Sequence, residues 1–447
     1  MAIPIEREQW QSRLGFMLAA SGSAVGLGNI WRFPWLTGEN GGGTFLFTYL
    51  ILIFTIGLSV LMAEFALGRA SQRDVVGAYE TIGSKKWSWV GYVSVLTGLL
   101  IMSFYCVVGG WTLSYAFRAG MGQLAGDDAE VLQTIFSTFT ASSLEPVFWQ
   151  LLFIVLTVYV VMRGISSGIE RWSRILMPIL LVLLVGLAIW VLFLPGAWEG
   201  VKYMFLPDFS KFTPSMLVTA LSQALFSLSV GMGAMITYGS YLKQQENLPR
   251  AALAVTALDT FVALVAGLLI LPAVFAFGYS LDGGPGLAFV TLPAIFSGLP
   301  GALVLSTAFF LLLAIAALTS AVSILEVAVA WVHSQVSVSR QKSALLVGVI
   351  VTIMGVPVSL SFGIWQDVTL VGLNLFELAD GLSGKIMLPV GALALAIFVG
   401  WIVWPRIRDE VLQGSEGSAA TVRVWGFICR YIAPPAIVVI LVAGLIS

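Results

Sequence analysis

The sequence predicts an all-α integral membrane protein of eleven transmembrane helices, ten of them forming two inverted five-helix halves that each begin with a broken helix. Three observations carry that expectation. Of 447 residues, 59% are hydrophobic and 10% charged, against the roughly 25% charged residues of an ordinary soluble domain. Apolar runs close to the ~20 residues that a helix needs to cross the hydrocarbon core recur along the whole length. Two of these runs, residues 21–33 (SGSAVGLGNIWRF) and 227–237 (SLSVGMGAMIT), carry glycines where a membrane helix should be winding.

Taken in order, the first span, about 12–37, holds the first glycine run. The second, 43–69, carries Glu64, and the third, 88–120, carries Tyr105 and Cys106. A fourth span at 145–163 leads to a fifth at 170–194, where Pro178 predisposes the helix to break. The sixth, 216–242, holds the second glycine run, 205 residues after the first counting Gly26 to Gly231. The seventh, 248–279, carries Asp259, and the eighth, 302–334, carries Thr319, Ser320, Glu326 and His333. Spans nine to eleven fall at 343–362, 377–404 and 422–446. Five is odd, so a second half starting at span six enters from the opposite side. The repeats are therefore about 12–194 and 216–404 within one transmembrane domain, 1–447, with the last helix outside the symmetry.

Lysine and arginine accumulate in cytoplasmic loops. With the N-terminus inside, only Arg32, Arg118, Lys202, Lys211 and Lys385 of the 22 basic residues fall outside. One missed or invented span would mix the two sets, so the bias also checks the count. It places the N-terminus in the cytoplasm and the C-terminus outside, in a multi-pass plasma-membrane protein. The outer connections are longer: residues 126–130 are acidic, 195–214 carry aromatics, and 281–300 (LDGGPGLAFVTLPAIFSGLP) are suited to short capping helices.

A net charge of −1 without a basic block argues against a nucleic-acid partner. Cys106 and Cys429 both lie in apolar runs, which favours buried thiols over a disulfide. His333 is the single histidine and reads as interfacial, so no histidine metal cluster is available. The polar start MAIPIEREQW precedes a helix too long for a signal-peptide core, and no cleaved leader is expected.

In lipid, unpaired backbone groups are tolerated only where they are buried in protein or face a polar cavity. Glycines at helical spacing in membrane helices are more often packing contacts. Here two runs in inverted register, with Asn29 and Asp259 nearby, favour unwinding instead. Paired interrupted helices in corresponding positions of two halves point to a carrier's binding site. Half-helix ends offer positive charge at N-termini and negative charge at C-termini, so such a gap holds a carboxylate on one side and a cation on the other. Asn29, Ser227, Asp259, Thr319 and Ser320 are the polar residues placed to complete it, and Asp259 weighs most because an ionisable group inside the membrane is expensive. Glu64 reads more readily as a fixed carboxylate bonded to the broken helices than as a proton carrier; Glu326 is open between the two.

At these residues, in AVGLGNIWRFP (24–34), ENGGGTF (39–45), Tyr105 with Gly110–Trp–Thr, SLSVGMGAMITYGSY (227–241) and ALTS (317–320), the chain resembles the neurotransmitter:sodium symporter family. The resemblance implies an inverted-repeat symporter with two sodium ions. The first would lie between the Ala24 carbonyl, Asn29, Ser227, Asp259 and the substrate carboxylate. The second would lie between the carbonyls of Gly22, Val25 and Ala316 and the hydroxyls of Thr319 and Ser320. Substrate would contact Ala24, Gly26, Ile101, Tyr105, Phe226, Ser227, Ser229, Met232 and Ile324, with Tyr105 on its carboxylate and Phe226 above it. Arg32 and Asp380 match the outer gate, closing through water or directly; Arg7, Trp10 and Tyr241 match the inner gate.

The chain departs from that family in three places. Asp259 replaces a common asparagine, and Ala263 replaces the serine of chloride-dependent members, although Tyr49, Gln223 and Ser227 match other chloride-site positions; chloride-independent transport is the expectation. Met232 replaces a phenylalanine, and Gly26 stands where amine-transporting members carry aspartate. Both point to branched and aromatic L-amino acids, as in bacterial members that accept many hydrophobic ones. Ser334 replaces the acidic partner of the inner-gate arginine. Two rivals stand beside this reading: a proton-coupled or uniport carrier of the same fold, and a channel or receptor that binds without transporting. A membrane enzyme finds no Ser/His/Asp arrangement, metal cluster or phosphate loop.

Overall fold

The protein is described from a computed structural model covering residues 8–124, 129–279, 286–336, 338–413 and 419–446. Arg7, residues 126–128 of the acidic stretch and 281–285 of the long outer connection therefore lie outside the described residues. Among the described residues nine helices are long and apolar enough to cross a membrane: Gly43–Ser71, Lys85–Gly120, Glu145–Met162, Ile165–Leu192, Leu248–Phe277, Ala302–Val336, Arg340–Leu360, Leu375–Ile402 and Ala419–Ile446. A tenth span is the bent pair Arg13–Ala24 and Gly28–Glu39, whose axes differ by 56°. The sixth in chain order consists of Pro214–Ser227 and Ala234–Gly239, each too short to cross alone, flanking the non-helical residues 228–233. Eleven spans result, with interruptions at the two positions that the glycine runs mark.

Each interruption has a local cause. In the first span Val25 leaves the helix for extended backbone (φ −71°, ψ 106°), and the chain resumes as a wider π-type turn at Gly28–Arg32. In the sixth, Gly231 sits at φ 94°, a conformation that costs an L side chain but not glycine. Its backbone is also pressed onto the tenth span: the Leu388 carbonyl leaves no room for a Cβ at Gly231, and the Gly231 carbonyl leaves none at Gly391. By contrast, Pro178 lies inside the continuous helix Arg171–Leu192. The wider turn of the fifth span comes earlier, at Ile165–Glu170.

The third and eighth spans pack along each other over much of their length, and the fourth and ninth close on the third. Connections outside the spans form short helices. Ala197–Phe205 lies on the seventh span, with Gly200 against Pro272. Ala129–Ala141 and the two turns of Leu287–Ser297 cover the end of the third span, where Trp111 and Tyr115 meet Phe136, Phe289 and Phe310 edge-on or tilted. Three carboxylates within the spans, Glu64, Asp259 and Glu326, are fully buried and each accepts hydrogen bonds. Cys106 and Cys429 are buried free thiols.

Candidate cation and substrate site

Glu64 fixes the sixth span's interruption. Its two carboxylate oxygens accept the backbone N–H groups of Gly231 at 2.6 Å, Met235 at 3.1 Å and Ile236 at 3.2 Å. These are orphan donors at the start of a half-helix, and a buried carboxylate complements both their hydrogen bonds and the positive end of the dipole. With three donors held, Glu64 is a structural clamp. Ser229, at φ 53°, crosses the gap and donates its hydroxyl to the Ser23 carbonyl at 3.0 Å, tying the two interruptions together.

Around the first interruption two oxygen clusters form. In one, Asn29 Nδ2 donates to Asp259 Oδ1 at 2.7 Å and to Ser227 Oγ at 2.9 Å, and Ser227 Oγ donates to Asp259 Oδ2 at 2.8 Å. The Asn29 side-chain oxygen accepts Gly26 N–H at 3.1 Å. Asn29 thus turns its nitrogen toward the carboxylate, and the amide must turn over to serve as a cation ligand. In the other cluster, Ser320 Oγ reaches the carbonyls of Val25 at 3.0 Å and Gly22 at 3.3 Å, while Thr319 Oγ1 donates to the Ala316 carbonyl at 3.0 Å. Of the residues assigned from sequence to a second cation, Gly22, Val25 and Ser320 meet there with Thr319 against Gly22, and Ala316 joins them through Thr319. The donor chemistry is hard oxygen throughout, suited to an alkali or alkaline-earth ion rather than a soft metal. No group of three or more His, Cys, Asp or Glu side chains lies together among the described residues.

Between these clusters lies a cavity lined by all nine residues that the sequence assigned to substrate: Ala24, Gly26, Ile101, Tyr105, Phe226, Ser227, Ser229, Met232 and Ile324. Leu388 of the tenth span, which sequence reasoning missed, also lines it. Its atom-free space is about 390 Å³. Tyr105 places its hydroxyl against the first interruption, accepting Leu27 N–H at 3.4 Å. A Cβ on Gly26 would stand 2.6 Å from Ser320 Oγ and 2.9 Å from the Tyr105 hydroxyl, so only glycine fits.

Phe226 separates this cavity from a larger vestibule of about 1080 Å³, lined also by Trp31, Arg32, Trp35, Phe104, Phe376 and Asp380. Arg32 and Asp380 share that vestibule but form no ion pair within 4.0 Å. Instead Arg32 donates to Gln223 Oε1 at 3.0 Å and lies over the Phe226 ring at 4.8 Å. Gln223 in turn donates to the Gly28 carbonyl at 3.0 Å, a relay that the sequence did not reveal.

The opposite side is closed. Trp10 donates its backbone N–H to the Tyr241 carbonyl at 3.2 Å and its indole N–H to the Tyr238 carbonyl at 3.0 Å. Tyr241 donates to Glu326 Oε1 at 2.6 Å, and Arg340 pairs with Glu326 Oε2 at 2.5 Å. Glu326, open between two readings in the sequence, is the buried anchor of this closure. Glu170 adds a second fastening by accepting Gln11 N–H, Ser12 N–H and Arg174. Ser334 donates to Asp74 Oδ2 at 2.8 Å; Arg7 lies outside the described residues.

The model of the sodium:neurotransmitter symporter family matches residues 7–134 and 128–447. YhdH, an uncharacterized sodium-dependent transporter of Bacillus subtilis, is 38% identical over 434 residues, covering 97% of this chain and 96% of that protein. An uncharacterized sodium-dependent transporter of Haemophilus influenzae is 34% identical over 452 residues, covering 98% of both. The crystal structure of MhsT in complex with L-phenylalanine matches with a TM-score of 0.91 at 47% identity, over 98% of this chain and 100% of that one. By its sequence over nearly the whole length and by its two interrupted spans, the chain belongs to the sodium:neurotransmitter symporter family and is a sodium-dependent membrane transporter, not an enzyme.

Proposed function

We propose that the protein imports hydrophobic L-amino acids, branched and aromatic, by symport with two sodium ions and without chloride, its N-terminus cytoplasmic and its C-terminus extracellular. The observation that carries this reading is the composition of the central cavity. Its lining combines the Tyr105 hydroxyl and the freed backbone of the first span, groups that suit a carboxylate, with Ile101, Phe226, Met232 and Ile324, which suit an apolar side chain. Met232 is unbranched and adapts to ligands of different size. Gly26 leaves no space for an acidic group that would receive an amine. L-Phenylalanine, bound in the MhsT structure, is of the proposed class.

Asp259 supports independence from chloride. Its carboxylate brings a fixed negative charge to the cluster assigned to the first sodium, and the neighbouring helical position, Ala263, offers no hydroxyl to an anion. Ser227 donates to Asp259, and Gln223 is occupied by Arg32 and Gly28, so two chloride-site matches have other partners.

Transport follows from the gates. Substrate enters the vestibule, passes Phe226 and places its carboxylate between Tyr105 and the first sodium. Sodium and substrate then share a ligand, so each raises the other's affinity. Approach of Arg32 and Asp380 seals the outer side, and release requires Trp10, Tyr241 and Glu326 to part on the inner side. The test is uptake by proteoliposomes holding the full chain. Leucine or tryptophan uptake should follow a sodium gradient without a proton gradient, and replacing chloride with gluconate should leave it unchanged. Better displacement by dopamine or serotonin than by leucine or tryptophan would reject the substrate class, and a severalfold loss in gluconate would reject chloride independence.

A further inference from the structure

Three arginines converge away from the central cavity, on the side of the molecule that carries most of its basic residues. Arg423, Phe427 and Arg430 recur at helical spacing on one face of the eleventh span, and Arg408 comes from the short helix Trp404–Leu412. With Trp404 and Tyr431 they line a cavity of about 420 Å³. Gly426 makes its floor possible: a Cβ there would lie 2.4 Å from the Trp404 ring, so only glycine lets the indole rest against the span. The Arg430 guanidinium stacks on that indole at 4.3 Å, and its Nε donates to the Gly400 carbonyl at 2.5 Å. Held in this way, Arg430 lines the cavity. Arg408 shares an exposed ion pair with Asp409 at 2.8 Å. Among the described residues, no carboxylate lies within 4.0 Å of Arg423 or Arg430. Phe427 and Tyr431 are 57% and 53% exposed, continuing the wall along the apolar span.

We infer that this cavity binds the headgroup of an anionic phospholipid, with Arg423, Arg430 and Arg408 around the phosphate and Phe427 and Tyr431 along the first acyl carbons. Arginine alone at a helix end is usually a snorkelling anchor. A snorkelling chain, however, needs neither a cavity nor an indole floor that orients its guanidinium. The charge calls for an anion, and guanidinium forks match phosphate oxygens. The apolar wall on the membrane-facing span selects a lipid over free phosphate, which would leave Phe427 and Tyr431 unused. Basic pockets between spans are a recognised form of lipid recognition. The inference is independent of the amino-acid substrate.

The test uses the full chain, purified in detergent and stripped of lipid, with retention of added phosphatidylglycerol or phosphatidylcholine read by native mass spectrometry. The native protein should hold phosphatidylglycerol about tenfold more strongly than phosphatidylcholine, and removal of two charges in R423Q/R430Q should erase most of that preference. The control R163Q/R171Q, two arginines on the same side outside the cavity, should keep it. Should R423Q/R430Q fail to fold, R423K/R430K retains the charge but lacks the fork, and its preference should fall between the native and neutral cases. Equal retention of the two lipids by the native protein would overturn the inference. So would an equal loss in the control pair, or displacement of phosphatidylglycerol by millimolar inorganic phosphate, which would identify the occupant as a free anion.

Discussion

Asn29 and Asp259 meet at 2.7 Å, amide nitrogen to carboxylate oxygen, and this bond joins the interruption of the first span to the middle of an unbroken seventh. A sodium ion placed among Ala24, Asn29, Ser227 and Asp259 would sit beside a full negative charge in a medium far less polarisable than water. Replacing Asp259 with Asn removes that charge and keeps the shape. At an effective dielectric near 20, one charge at a few ångströms is worth enough that D259N should raise the sodium concentration for half-maximal substrate binding by about tenfold or more. A sodium titration of substrate binding in detergent reads this directly. An unchanged midpoint would remove Asp259 from the ion site.

Glu64 holds three backbone donors of the sixth span, and Gln offers one acceptor oxygen where the carboxylate offers two. Hydrogen bonds to a charged acceptor are worth about 1.5–3 kcal/mol each, so Glu64→Gln should lower the melting temperature and the yield of folded protein, and reduce uptake. The stimulation of residual uptake by sodium, and its indifference to a proton gradient, should persist. A stable E64Q protein that had lost only a response to protons would make Glu64 a proton carrier after all.

Met232 shares the cavity wall with Phe226, Ile101 and Ile324. Met232→Phe puts a rigid ring where a flexible chain stood and should narrow the range of substrates. Discrimination by pocket size spans about 10–200-fold, and the lower part of that range is expected here as tryptophan loses affinity relative to leucine. Competition against one labelled substrate gives the ratio. An unaltered ratio would place the side-chain pocket elsewhere.

Much of this was legible in the chain, and the reason is physical. Lipid requires the backbone to be satisfied within each helix, so glycine runs at 21–33 and 227–237 stood out against continuous apolar spans, and both are interrupted in the structure. Polar residues that are costly at mid-membrane, such as Asn29, Asp259, Thr319 and Ser320, marked the clusters for the same reason. Contacts among residues remote in sequence were not legible. Nothing in the order of residues announces that Gln223 bridges Arg32 and Gly28, or that Leu388 closes the cavity. Pro178 marks where the fifth span is expected to unwind on inward release, and with the inner side closed that stretch is wound. The outer gate likewise depends on conformation: Arg32 and Asp380 line one vestibule, yet Arg32 takes Gln223 and the face of Phe226 as its partners.

The inner closure depends on Glu326, which accepts the Tyr241 hydroxyl at 2.6 Å and the Arg340 guanidinium at 2.5 Å while fully buried. Tyr241→Phe keeps the ring that packs on Trp10 and removes only the hydroxyl. A hydrogen bond to a carboxylate contributes about 1.5–3 kcal/mol, so the inner side should open more readily in Y241F. Sodium and substrate bind the arrangement in which the ligand clusters are complete, and a shift away from it lowers their apparent affinity by the fraction of molecules lost to the open form. Y241F should therefore need about three- to tenfold more sodium for half-maximal substrate binding, with its folded yield nearly native. Tighter sodium binding in Y241F would mean that the hydroxyl strains the closed form, and the inner gate would have to be sought away from Glu326.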